Sequence, residues 1–231
     1  MWQHLASTLI GTNENQTFNI YTGSGSNGKS KLVELMSLGL GDYKATVPIT
    51  LVTQSRNSVG STSSEIVQLM GVRYAVMQEP SKGDKINEGI MKEITGGDPI
   101  QGRALFKDAV TFIPQFKLVV CTNVLFDIKS NDDGTWRRIR VCDFMSKFTD
   151  NPYNNDKFPK DNFPHQFQID KKIDEKFELW APIFISMLVD IGFNTGGRVT
   201  DCKQVMSVSD KYRESQDYLA EFAKERIQRT E

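Results

Sequence analysis

The chain is poor in cysteine and poorer in histidine. Cys121, Cys142 and Cys202 are odd in number and widely spaced, no C-x-x-C occurs, and His4 and His165 are the only imidazoles. Neither a zinc site nor a disulfide framework is expected, and the thiols suit a reducing compartment. No uninterrupted apolar run approaches the ~20 residues that span a bilayer. The opening Met1-Trp2-Gln3-His4 has no basic-then-apolar signal character. These absences point to an intracellular, soluble protein without a membrane partner. Charge of one sign is also missing, with 28 basic against 29 acidic residues and a net charge of −1. That balance gives no global sign of nucleic-acid binding. It does not exclude it, because a ring of subunits can line a channel with a few cations each. No internal repeat is visible, and 231 residues suffice for one large domain or a domain with an appendage.

What is present is a phosphate loop. Residues 23 to 30 read Gly23-Ser24-Gly25-Ser26-Asn27-Gly28-Lys29-Ser30, a complete G-x-x-x-x-G-K-[ST] pattern. The preceding Thr17–Thr22 is β-branched and aromatic, and the following Lys31–Met36 carries apolar residues at helical spacing. Strand, glycine loop and helix in that order separate this pattern from a chance glycine-serine turn. Glycines let backbone N–H groups close around phosphate oxygens, and the helix adds its positive end. Lys29 then reaches the β- and γ-phosphates of ATP, and Ser30 places its hydroxyl on Mg²⁺.

The chain divides into three parts: a helical tail over 1–16, an α/β core over 17–150, and a long loop with closing helices over 151–231. A helix starting at the first residue and leading straight into a core strand suggests a piece of a longer polypeptide. Strands are expected at Arg73–Met77, Lys117–Cys121 and Arg138–Val141, alternating with helical segments, which makes a parallel sheet. Asn151–Gln168, rich in Asn, Asp, Pro and Lys, reads as surface loop. Helices are expected over Ile173–Val189 and Val205–Ile227, the second with Val205, Val208, Tyr212, Leu219 and Phe222 on one face. Gly60–Ser64 is a candidate mobile loop.

Two strand ends choose among nucleotide chemistries. Val76-Met77-Gln78-Glu79 closes a buried-type strand with a carboxylate, where phosphate-loop enzymes hold Mg²⁺ or activate water. Lys117–Asn123 ends a second strand in an amide suited to the γ-phosphate or the lytic water. Either end could instead be an ordinary turn; the order of the pieces favours Glu79 and Asn123 as site residues.

Lys92-Glu93-Ile94-Thr95-Gly96-Gly97-Asp98, the run Arg103-Ala104-Leu105-Phe106-Lys107, Cys121-Thr122-Asn123 and Gly134-Thr135-Trp136-Arg137-Arg138-Ile139 complete the pattern. With the phosphate loop they resemble the superfamily 3 helicases, and among these the helicase part of poxvirus-type primase-helicases of large DNA viruses. The likeness runs from about Leu5 to Ile227. It implies an AAA-like P-loop core with a parallel sheet between helices, and an ATP-dependent helicase or translocase working on single-stranded DNA in viral genome replication. It also implies a hexameric ring, flanking primase or winged-helix-type domains, and a location in the host cytoplasm or nucleus. By position, Lys29, Glu79 and Asn123 are the catalytic residues, Ser30 and Glu79 the Mg²⁺ partners, and Arg137 the arginine finger offered to a neighbouring subunit.

Arg138 rivals Arg137 for that finger, and Lys92 is a weaker candidate for a second phosphate-facing cation. Arg103 to Val110 corresponds to the family's DNA-gripping hairpin. Phe106 and Lys107 suit a stacking-plus-phosphate contact there, against a core position for Phe106 and an ordinary surface for Lys107. One departure stands out: Gln78 precedes Glu79 where the family often has two acids. Two other functions therefore stay open, a nucleotide-gated clamp or assembly module with weak hydrolysis, and a P-loop small-molecule kinase.

Overall fold

The computed structural model describes residues 1–54, 62–78, 84–129 and 132–216. Glu79, residues 60 and 61 of the candidate mobile loop, and Leu219 and Phe222 of the closing helix lie outside these. The chain opens with α1 (Trp2–Ser7), β1 (Phe18–Thr22), α2 (Lys29–Leu40), β2 (Lys44–Val47), α3 (Thr50–Thr53), α4 (Ser64–Val67) and β3 (Tyr74–Met77). It continues with α5 (Glu88–Gly96), β4 (Ile100–Arg103), β5 (Ala109–Phe112), β6 (Lys117–Cys121), α6 (Asp133–Trp136) and β7 (Ile139–Asp143). Then follow β8 (Lys147–Thr149), β9 (Gln166–Gln168), α7 (Phe177–Thr195) and α8 (Lys203–Ser215).

The fold is α/β, with one five-stranded sheet in the order β2-β3-β6-β1-β7. Every pairing within it is parallel, so all five strands end at the same edge. A parallel sheet is covered on both faces, which is why its strands read as near-continuous apolar runs. Alternate residues then go to opposite sides. Phe18, Ile20, Leu118, Val120, Ile139 and Val141 pack on one face with Met91 and Ile94 of α5 and Tyr212 of α8. Tyr21, Tyr74, Val76 and Val119 pack on the other with Leu5 of α1, Met36 of α2 and Leu188 of α7. The expected parallel sheet between helices is thus present, and β6 inserts between β1 and β3.

Three details differ from the sequence pattern. Asn151–Gln168 is not loop throughout, because Gln166–Gln168 forms β9 and pairs in parallel with β8. Arg138 does not open the strand: Arg137 is the C-cap of the one-turn α6, and the strand begins at Ile139. Finally, Ile173–Thr195 is long and apolar enough to cross a membrane by length and composition alone. Asp174, Glu175, Lys176, Glu178 and Asp190 interrupt it as a sequence run. In the fold, its buried Phe184 and Leu188 belong to the core face shared with α1 and α2.

Candidate active site

β1 delivers the phosphate loop to the C-terminal edge of the sheet. The turn from strand to helix uses positive φ at Gly23 (138°), Gly25 (76°), Ser26 (49°) and Gly28 (86°). Gly28 is constrained twice, since a Cβ there would also lie 3.2 Å from the Phe148 ring. The helix that follows starts at Lys29, whose side chain is buried although it is cationic. Its ammonium is satisfied locally: Nζ donates to the Gly23 carbonyl at 2.7 Å and to Asn123 Oδ1 at 3.0 Å. Asn123 stands just past β6, the strand beside β1, and is exposed. The Lys29–Asn123 contact therefore follows from strand order.

Around these groups opens a cleft of about 800 Å³, lined by Gly25 to Lys31 and by Lys44, Gln78, Cys121 and Asn123. Gln78 lies just past the end of β3 and reaches this cleft, while Glu79, the next residue, lies outside the described residues. The donor set suits a polyphosphate. The buried Asn27 Nδ2 has no hydrogen-bond partner among the described residues, Lys29 supplies a cation, and Ser30 sits exposed in the first turn of α2. Among the described residues no group of three His, Cys, Asp or Glu gathers to hold a metal. Mg²⁺ needs none, since it commonly binds through one or two side chains, waters and substrate phosphates. Ser30 and Glu79 are the residues placed by sequence to hold it.

Sequence reasoning overlooked the outer wall of the loop. Lys147 of β8 is 1 % exposed, and its Nζ donates to the Ser24 carbonyl (3.0 Å), Ser24 Oγ (2.7 Å) and the Gly25 carbonyl (2.6 Å). The next backbone N–H, of Phe148, donates to the Ser26 carbonyl at 2.8 Å. Burial, with the nearby Lys29 charge, lowers the Lys147 pKa from its ordinary value, and Asp143 partly offsets this. A lysine eight residues past the Gly134–Ile139 motif, in a stretch without periodicity, carries no local signal, so only the folded arrangement identifies it.

Arg137 lies at the other end of the sheet. It precedes β7, whose Ile139 pairs with Phe18 at the start of β1, whereas Asp143 pairs with Thr22 beside the phosphate loop. Four strand steps of ~3.3 Å put the two edges roughly 13 Å apart. The exposed guanidinium donates to Gln16 Oε1 at 3.0 Å, and Gln16 Nε2 in turn donates to the Gly96 carbonyl at 2.7 Å. Arg138 is 9 % exposed and donates to the Gly134 carbonyl, so it is the more buried of the two arginines. Lys92 does not face the cleft but pairs with Asp132. That bond, with the Thr135 backbone N–H, holds the Asp132 carboxyl down to about 2, and Asp132 caps α6.

The segment expected to form a hairpin does so: β4 and β5 pair antiparallel, with Arg103 opposite Ala109. Its tip is a tight turn in which the Lys107 N–H donates to the Ala104 carbonyl, and Arg103 Nε donates to the Lys107 carbonyl at 3.0 Å. Phe106 is 94 % exposed with φ 58°, which excludes the core position. A separate cavity of about 270 Å³, lined by His4, Asn19, Tyr21 and Arg140 among others, lies away from the loop. Burial drives the His4 pKa down to about 3, so its imidazole is a neutral packing group.

The fold and this edge define a class, an α/β protein with a glycine-rich strand-to-helix turn at the C-terminal edge of a parallel sheet. The chain belongs to the family described as "Family of unknown function (DUF5906)", which matches residues 21–138. It is 43% identical over 186 residues to "Putative helicase L207/L206" of Acanthamoeba polyphaga mimivirus, covering 80% of this chain and 19% of that protein. It is 31% identical over 233 residues to "Putative helicase 022R" of Frog virus 3, covering 98% and 24%. With "Putative primase C962R" of African swine fever virus (isolate Warthog/Namibia/Wart80/1980) it shares 30% identity over 212 residues, covering 90% and 22%. The chain thus spans about a fifth to a quarter of these relatives. Among solved structures, the apo NrS-1 C-terminal region (305-718) superposes with a TM-score of 0.61 at 12% identity, over 99% of this chain and 54% of that one. At that identity the likeness shows the fold.

Proposed function

We propose that this chain is the ATP-dependent motor part of a viral primase-helicase, a superfamily 3 helicase or translocase acting on single-stranded DNA. ATP and Mg²⁺ bind at the C-terminal sheet edge: the Gly23–Ser30 loop wraps the phosphates, and Lys29 moves its donors from the Gly23 carbonyl and Asn123 onto phosphate oxygens. Ser30 and Glu79 hold Mg²⁺, Glu79 activates water, and Asn123 orients it or the γ-phosphate. The observation that carries this reading is the Lys29–Asn123 contact at 3.0 Å beside the cleft. It brings residues 94 positions apart to one phosphate-sized locus. Arg137, at the opposite edge, acts on a neighbour's nucleotide, which makes hydrolysis depend on assembly of a homo-oligomeric ring. The names of the viral relatives agree with this role, and flanking domains of the parent protein supply any primase activity.

Hydrolysis of ATP measured against protein concentration, with and without single-stranded DNA, tests the reading, with Lys29→Ala as the blank. Turnover should rise more than linearly with protein and increase with DNA. Turnover that is linear and indifferent to DNA refutes the shared site. A second reading, a nucleotide-gated DNA clamp, draws on Gln78 standing beside the cleft where a second acid would assist hydrolysis. Tight ATP binding with ring formation and no turnover is its signature.

A further inference from the structure

The geometry points to Lys147 as a positioning residue that pre-shapes the phosphate loop, acting from outside the cleft. This inference rests on the nucleotide reading of the same loop. β8 fixes three successive loop carbonyls: Ser24 and Gly25 through the Lys147 ammonium, and Ser26 through the Phe148 N–H. No peptide in the described chain is cis. In a planar trans peptide the N–H points opposite to the preceding carbonyl. Holding the Gly25 and Ser26 carbonyls against β8 therefore turns the Ser26 and Asn27 N–H groups away from β8, on the side where these residues line the cleft. The Gly25 N–H is committed to the Gly23 carbonyl at 3.0 Å, which tightens the turn. Such an arc of inward N–H groups is what binds phosphate, and here it is set before any ligand arrives.

Lys147 is itself held. Its ammonium lies 5.1 Å from the centroids of both Phe158 and Phe163. Gln166 of β9 donates to the carbonyls of those two residues, at 2.8 and 3.0 Å. All three donors of the ammonium go to the loop, two aromatic faces cover the rest, and no acidic residue pairs with it among the described residues. A lysine committed in this way cannot also reach into the cleft as a second Lys29. Its effect on nucleotide is through the shape of the Ser24–Ser26 arc, and the 151–168 segment becomes a strap that sets that shape.

The test compares the parent chain with Lys147→Met, Lys147→Arg and Lys29→Ala, titrating magnesium tripolyphosphate and ATP calorimetrically. Tripolyphosphate reports on the loop alone. Lys147→Met keeps the stem between the rings and removes the donors. It should weaken both ligands by the same factor, about tenfold to a hundredfold for lost charge-assisted bonds. The unliganded unfolding midpoint should stay near that of the parent, and Lys147→Arg should restore most of the affinity. Lys147→Met binding both ligands as tightly as the parent, while Lys29→Ala binds neither, overturns this inference and leaves the nucleotide reading standing. A parent chain that binds neither ligand overturns both. If Lys147→Met does not fold, Phe163→Leu removes one face of the cage with Lys147 in place. A smaller loss of affinity in the same direction is then expected, and unchanged affinity overturns the inference.

Discussion

Replacing Phe106 should separate stability from the proposed DNA binding. It occupies the third position of the Ala104–Lys107 turn at φ 58°, where glycine or asparagine is usual, and its ring is 94 % exposed. A bulky residue held left-handed costs on the order of 1 kcal/mol, and with so little of the ring buried, packing returns almost nothing. Phe106→Ala should therefore leave the unfolding free energy within about 0.5 kcal/mol of the parent. If the ring stacks on a base, the same change removes about 1–3 kcal/mol of binding. That is roughly a 5- to 150-fold weaker Kd. The assay is fluorescence anisotropy with a labelled dT oligonucleotide at several salt concentrations, alongside urea unfolding. Stacking is not ionic, so Phe106→Ala should shift the salt plot in parallel, whereas Lys107→Ala should reduce its slope by about 0.7 if Lys107 meets one phosphate. An unchanged Kd for Phe106→Ala refutes the stacking role. A change in slope as large as that of Lys107→Ala refutes the reasoning as well, because it makes the loss electrostatic.

Asn123→Ala should lower the turnover number by more than tenfold while ATP affinity stays within a few-fold, since Lys29 keeps the Gly23 carbonyl as a partner; fluorescent-nucleotide binding beside steady-state kinetics checks the split. Mixing Arg137→Ala with Glu79→Gln should recover part of the ATPase that each variant alone lacks, because mixed rings contain intact interfaces; rings that form but recover nothing at any ratio refute the finger. Lys117 is buried, with its ammonium on the Thr12 carbonyl, and burial lowers its pKa to about 8. The unfolded lysine titrates near 10.4 and holds more protons between those values, so this group adds stability as pH rises from 8 to 10.4. Half-buried Cys121, pushed up to about 11, works the other way. The difference between parent and Lys117→Met cancels that contribution: the variant's stability relative to the parent should fall by about 3 kcal/mol between pH 7 and pH 10.4, and urea unfolding at both pH values that shows a constant difference refutes the assignment.

How much of this was legible in the sequence depends on how far apart the cooperating residues lie. β6 was bounded correctly because a strand buried on both faces is a near-continuous apolar run, here Leu118 to Cys121 behind Lys117, and needs no partner to be recognised. The glycine turn after β1 was legible for a related reason: its positive φ demands glycine locally, at Gly23, Gly25 and Gly28. The start of β7 was harder, because Arg138 looks like the first residue of a strand. Asp132 instead accepts from the Thr135 N–H at 2.9 Å and caps a single helical turn before β7 begins.

Lys147 was invisible for a physical reason. Its neighbours in sequence, Ser146 and Phe148, give no periodicity, and β8 is only three residues long. What buries the lysine is a pairing with residues nearly twenty positions later, between Lys147 and Gln166 in register, together with two phenylalanines from the intervening loop. A parallel pair requires a connection of a dozen or more residues, so nothing in a short window could announce it. A phosphate loop does not shape itself, because its carbonyls must be held somewhere for its N–H groups to face the ligand. In this chain the residues that hold them lie more than a hundred positions away.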